Sequence, residues 1–226
     1  AKKCFKDYRK KYIKYFDTNK KKVKGKKTML DTSPRVILVQ NVGLFSVGDS
    51  LDAAKIAGDL TETNARVISS VEETSKYNFI PEKDLFDVEY WSLEQAKIKK
   101  AKKVLQGNVV VITGSFGAIG SATYKLFKSY GAEVVLLDYN LQKVNEMKSK
   151  IKDLCLHCDV TNKDSVKKAF KIISETYGGI DILISNAGTA IGGSIAEVDD
   201  KILRQSFEDN FFSHQNCASE TIKIMK

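Results

Sequence analysis

The stretch NVVVITGSFGAIG, residues 108–120, decides how the rest of the chain is read. Its first six residues form an apolar β-branched run, the pattern of a strand buried on both faces. A glycine-rich turn comes next, and from Ala118 to Tyr130 apolar residues recur at helical spacing, closed by Gly131. Strand, glycine turn and helix in that order make a phosphate-binding loop. The helix start offers unpaired N–H groups and a positive dipole end to a pyrophosphate. Gly114 allows the tight turn, and Gly120 allows the helix to pack close.

Working outward, the alternation continues. EVVLLD (133–138) and residues 153–158 read as strands, and so does IDILISN (180–186). Helices are expected at 141–151 and 165–177, the latter ended by Gly178-Gly179, and one long helix is expected from Asp199 to Met225. Strands that are apolar throughout, alternating with helices, imply a doubly wound parallel sheet. Asp138 ends the second strand, 18 residues past Gly120. A carboxylate there accepts hydrogen bonds from ribose hydroxyls and repels a 2′-phosphate. No Lys or Arg stands at 115–118 or 139–142, so NAD is favoured over NADP. The candidate cofactor-binding set is Thr113, Gly114, Ser115, Phe116, Gly117, Ala118, Ile119, Gly120, Asp138, Tyr139, Cys158, Asp159, Val160, Asn186, Ala187 and Gly188.

These motifs resemble the short-chain dehydrogenase/reductase family. TGSFGAIG follows its TGxxxGxG pattern, with Ala118 at the middle glycine. Asp159 stands where that family binds adenine, and Asn186-Ala187-Gly188 matches its NAG motif. Asn210, within DNFFSHQNCA, resembles the helix asparagine of the family's proton relay and is the one catalytic candidate. The resemblance implies a Ser, a base Tyr and a Lys on a further strand and helix, and the chain ends at Lys226 before them. Tyr124 and Lys128 have YxxxK spacing but fall on the helix behind the phosphate loop. The expectation is therefore an inactive internal fragment, cut at both ends, with ILIS as an unpaired apolar edge.

Before the linker the pattern changes. RVILV (35–39) and LFSV (44–47) suggest a hairpin, and Asp49 or Ser50 caps a helix from Leu51. Residues 76–90 read as a loop with short structure, and SLEQAKIKKAKKVL (92–105) as a charged connecting helix. The stretch 34–51, PRVILVQNVGLFSVGDSL, resembles the end of a class II aldolase/adducin domain, with Val42 where that family places a zinc-binding His. From PRVILV through LFDVEYWSLEQAKIKK and on into the dehydrogenase-like half, the chain is similar to the bifunctional rhamnulose-1-phosphate aldolase/alcohol dehydrogenase family. That resemblance implies oxidation of a small aldehyde such as lactaldehyde after sugar-phosphate cleavage. The expected division is 1–90 aldolase/adducin-like, 91–106 linker helix and 107–226 the NAD-binding half of a dehydrogenase. The fold class is α/β, an incomplete Rossmann-type doubly wound parallel sheet preceded by the end of an aldolase/adducin-like domain.

Composition bounds the alternatives. The net charge of +9 sits in residues 1–27, which hold 13 Lys or Arg against Asp7 and Asp17; the other 199 residues sum to −2. Tyr8, Tyr12, Ile13, Tyr15 and Phe16 interleave with the lysines at roughly helical spacing, so an amphipathic helix with a solvated lysine face is favoured over a nucleic-acid site. No apolar run approaches the ~18 residues of a membrane span. Four scattered cysteines fit a reducing, cytoplasmic setting. Cys155 and Cys158 bracket His157, but without a second pair no metal is assigned. Expected partners are NAD and a small molecule, with no nucleic acid and no membrane, and a homo-oligomer in the intact protein. A non-catalytic nucleotide-binding or assembly module stays open as the alternative.

Overall fold

A computed structural model describes residues 2–97, 102–190, 192–194 and 196–225. The chain divides into two compact units, Ala1–Lys102 and Lys103–Lys226.

The first unit opens with α1 (Lys2–Lys20). A hairpin comes next, β1 (Val36–Val39) pairing antiparallel with β2 (Gly43–Ser46). The turn between them uses Asn41 at φ 60 and Gly43 at φ 135, conformations that Asn and Gly reach at low cost. Helix α2 (Leu51–Glu72) starts at Ser50, whose hydroxyl accepts the Ala53 N–H at 3.1 Å. Helices α3 (Glu82–Glu89) and α4 (Ser92–Lys97) complete the unit. The helix α3 lies where a loop with short structure is expected. Pro81 presets its start, and Glu82 and Asp84 stand in its first turn, complementing the dipole. The expected helix 92–105 is shorter. It is described as far as Lys97, residues 98–101 lie outside the described set, and 102–107 are not helical.

Aromatic side chains form the core of this unit. Phe16, Phe86 and Tyr90 are buried together, with the Phe86 and Tyr90 rings stacked at 4.5 Å. The hydroxyls of Tyr12 and Tyr15 donate to the two carboxylate oxygens of Glu89 at 2.5 and 2.9 Å. The aromatic stripe of α1 thus packs on α3. Phe16 and Asn19 are its only buried residues among those described, and its lysines are left mostly in solvent.

The second unit is a four-stranded sheet of β3 (Val109–Thr113), β4 (Glu133–Asp138), β5 (Cys155–His157) and β6 (Ile182–Ile184). Every pairing is parallel and the order is β5-β4-β3-β6. The connecting helices are α5 (Ala118–Ser129), α6 (Leu141–Lys150) and α7 (Lys163–Tyr177). Alternate residues of β3 feed two cores. Val109 and Val111 pack with Val166, Phe170 and Ile173 of α7 on one face. Val110 and Ile112 pack with Val144 of α6 and with Tyr124 and Phe127 of α5 on the other. Helices on both faces are what a fully buried parallel sheet demands. β6 lies at the sheet's edge.

The expected helix 199–225 is broken. It runs as α8 (Asp200–Phe207), a π-turn over Glu208–Phe212, and α9 (Ser213–Met225). Such a turn inserts one residue into the helical repeat and rotates the residues beyond it, which side-chain periodicity does not announce.

Candidate functional site

Strand order reverses between β3 and β6, and a crevice opens at the carboxyl ends of the strands, the usual ligand position in such sheets. A cavity of about 830 Å³ lies there, within the size range of small-molecule sites.

The loop after β3 forms its floor. Gly114 has φ +61, and a Cβ on it would come within 2.9 Å of the Ala187 Cα. Gly120 is required for another reason: a Cβ there would lie 2.4 Å from the Gly114 carbonyl oxygen and 2.7 Å from the Ser115 Cα. The glycine that lets the helix approach therefore makes room for the loop's own backbone. Gly117 caps α5 without any side-chain hydrogen bond. Ala118, Ile119 and Gly120 line the cavity, so no cap side chain takes up the N–H groups of the first turn. The cavity thus lies at the positive end of the α5 dipole.

Thr113 and Ser115 belong to the predicted set but do not line the cavity; they hold its shape. Both are buried. The Thr113 hydroxyl accepts the backbone N–H groups of Asn186 and Ala187 at 2.9 and 3.0 Å. Asn186 Nδ2 donates to the carbonyls of Thr113 and Gly114. Ser115 donates to the Leu137 carbonyl at 3.1 Å. Phe116, Gly117, Asp138, Tyr139, Cys158, Asp159, Val160, Ala187 and Gly188 line the cavity with Gly114 and Asn186.

Asp138 is fixed by two backbone donors. Its Oδ2 accepts the Phe116 N–H and its Oδ1 the Asn140 N–H, each at 2.9 Å. The helix cap is Asn140, not Asp138. An ionised carboxylate has about four lone-pair sites, so two remain to accept from a diol. Asp159 holds its own turn, accepting from the Thr161 N–H and hydroxyl at 3.0 and 2.7 Å. The Cys158 thiol is pushed up to about 11 by burial, which leaves it protonated and unreactive at neutral pH.

Asn210 does not line the cavity. Its Oδ1 accepts the Thr189 N–H at 3.0 Å, and its Nδ2 donates to the carbonyls of Thr189 and Ser206 at 2.9 and 3.0 Å. This amide pins the loop after β6, and a Cβ on Gly188 would meet Asn210 Oδ1 at 2.6 Å, so a larger residue there would displace that side-chain oxygen. The cavity residues that sequence reasoning misses are Lys143, Thr161, Thr189, Gln205 and Asp209. Lys143 lies one position beyond the 139–142 window in which cations are absent. Gln205 and Asp209 are four apart on the helix that carries Asn210, a spacing that puts them on one face.

Two other sequence candidates resolve as structure. Tyr124 and Lys128 both bond Asp153, each at 2.7 Å. Burial and that carboxylate raise the Tyr124 pKa, the wrong direction for a base. Cys155 packs in one core and Cys158 in the other, on opposite faces of the sheet.

Comparison with known proteins divides the chain in the same region of sequence. The family model "Aldolase class II, second domain" matches residues 1–98, and "short chain dehydrogenase" matches residues 108–226. The chain is 30% identical over 178 residues to the uncharacterized oxidoreductase YuxG of Bacillus subtilis, covering 75% of this chain and 26% of that protein. It is 42% identical over 87 residues to secoisolariciresinol dehydrogenase of Forsythia intermedia, covering 37% and 31% of the two. The chain thus spans about a quarter to a third of these two relatives. Among solved structures, a short-chain dehydrogenase/reductase from Brucella melitensis, titled glucose/ribitol dehydrogenase, superposes with TM-score 0.51 at 23% identity, over 55% of this chain and 54% of that one. That likeness is one of fold.

Proposed function

The chain belongs to the short-chain dehydrogenase family, and on that premise we propose that residues 107–226 bind NAD for hydride transfer to or from a small alcohol or aldehyde. The observation that carries this reading is the joint placement of an uncapped helix start and the Asp138 carboxylate on one cavity wall. The residues present fit a dinucleotide. Two glycines whose Cβ atoms would clash with neighbouring backbone keep the loop open, the first turn of α5 supplies N–H donors for the diphosphate, and Asp138 keeps acceptor capacity for a ribose diol. The cofactor supplies the hydride chemistry, and the protein binds and orients it. Asp159 and Val160 flank the adenosine side. Asn186 and Ala187, tied to Thr113, form with Gly188 the wall on the other side of the loop. Asn210 acts through Thr189, positioning the loop after β6.

The order of the two family matches supports a bifunctional aldolase/dehydrogenase arrangement; lactaldehyde as substrate, a cytoplasmic setting and a homo-oligomer are further parts of the proposal. Residues 1–90 are the aldolase-like part in this reading and 91–106 the linker. No described helix is long and apolar enough to cross a membrane.

The test is thermal stabilisation by each dinucleotide. NADH is expected to raise the melting temperature more than NADPH at equal concentration, and Asp138→Ala to narrow that gap. Equal shifts in the unaltered chain would overturn the NAD assignment, and no shift with either would overturn dinucleotide binding.

A further inference from the structure

The carboxylate of Asp209 stands on the cavity wall with Thr189 and Gln205. It is held on both oxygens: the Thr189 hydroxyl donates to Oδ2 at 2.7 Å and Gln205 Nε2 donates to Oδ1 at 2.8 Å. The Thr189 backbone is itself clamped by Asn210, so the carboxylate has a fixed position. Both of these donors are neutral, and neither cancels its charge. Its immediate neighbours do not supply a cation: Glu208 precedes it, and Arg204, one turn back, is drawn to Asp200 at 2.6 Å.

Its place along the strand ends matters. With the order β5-β4-β3-β6, Asp159 and Asp138 close the cavity at the β5 and β4 ends, with Lys143 on the same side of the phosphate loop. Asp209 and Thr189 stand beyond the β6 end, on the other side of that loop. A dinucleotide whose diphosphate lies on the loop puts one nucleoside in each half. If Asp138 takes the adenosine ribose, Asp209 shares the other half with the nicotinamide riboside.

We propose that Asp209, fixed by Thr189 and Gln205, makes the site favour the oxidised, cationic form of the nicotinamide cofactor over the reduced, neutral one. This rests on the dinucleotide reading above. The physical ground is Coulombic. The two forms differ by one positive charge on the ring, and a fixed carboxylate in a partly enclosed cavity discriminates them more than it would in water. A residue that merely holds the loop would affect both forms alike.

The test is direct binding to the 226-residue chain, with NAD+ measured by calorimetry and NADH by fluorescence. Asp209→Asn keeps the size and the hydrogen-bonding neighbours. It is expected to weaken NAD+ by about 3- to 10-fold while NADH changes less than about 2-fold. Gln205→Lys keeps the Asp209 carboxylate and its Thr189 donor, and replaces the neutral Gln205 donor by a cation four residues away on the same face. It is expected to move the ratio in the same direction, which keeps the inference testable if Asp209→Asn fails to fold. Asp138→Asn, on the adenosine side, is expected to weaken both forms equally. An unchanged NAD+/NADH ratio in Asp209→Asn and Gln205→Lys overturns the proposal while leaving dinucleotide binding intact. Failure of the unaltered chain to bind either form overturns the dinucleotide reading and this inference with it.

Discussion

The two units spend their apolar residues differently. In Lys103–Lys226 the central strands are sandwiched: all five residues of β3 and the four central residues of β4 are buried. In Ala1–Lys102 the 22 residues of α2 bury none of their number, and the hairpin leaves Leu38, Val42 and Phe45 exposed. A sheet covered on both faces fixes its strand ends rigidly, and the cavity is built at those ends. The N-terminal unit gathers its order in one aromatic cluster and one carboxylate, Glu89, shared by two tyrosines. Precise placement of polar groups comes with dense packing, and the contrast shows where in this chain a site can be held.

The contrast can be broken most sharply at Gly120. Substitution by Ala sets a methyl against the Gly114 carbonyl oxygen, and overpacking of this kind costs about 1–3 kcal/mol. The expected result is loss of most NADH affinity, read by fluorescence titration. Phe86→Ala strikes the other region. Removing a buried phenyl ring costs about 3–5 kcal/mol, and hydrogen exchange is expected to show residues 1–97 losing protection. Its effect on dinucleotide binding is expected to be the smaller of the two.

Tyr124→Phe sharpens the comparison by separating support from site. It removes one hydrogen bond to Asp153, worth about 1 kcal/mol, and is expected to lower the melting temperature while leaving NADH affinity unchanged. Loss of affinity would return Tyr124 to the functional candidates. The smallest effect concerns pH. Burial pushes the thiols of Cys155 and Cys158 up to about 11 and that of Cys217 up to about 12. In the unfolded chain these groups ionise near their ordinary value of about 8.5. The folded state keeps its protons longer, so this contribution is full below about pH 8.5 and is lost as pH rises through about 11 to 12. Thermal melts across that window should show a gradual decline, weaker in Cys217→Ala.

The parallel sheet is legible in the sequence because its signal is local: VVVIT, EVVLLD and the glycine turn each declare burial or backbone need in a few residues. Asp138 is legible because it stands at a strand end. Asp209 is hidden because it lies in the π-turn, and no apolar period marks where a helix takes in an extra residue; Gln205 precedes that turn on α8 and is hidden because only tertiary placement brings that helix to the cavity. Thr189 is hidden for a similar reason: it is brought to the wall by the Asn210 amide, a tertiary bond. Helix α3 is obscured by Pro81, which reads as a loop signal but here presets a helix start.

Cys155 and Cys158 are three residues apart and yet belong to cores on opposite faces of the sheet. Strand β5 thus works as a partition between two compartments. Oxidants that reach one thiol do not thereby reach the other. Cys4, on α1, is exposed, whereas Cys155, Cys158 and Cys217 are buried, so a thiol reagent that does not unfold the chain is expected to label Cys4 before the other three.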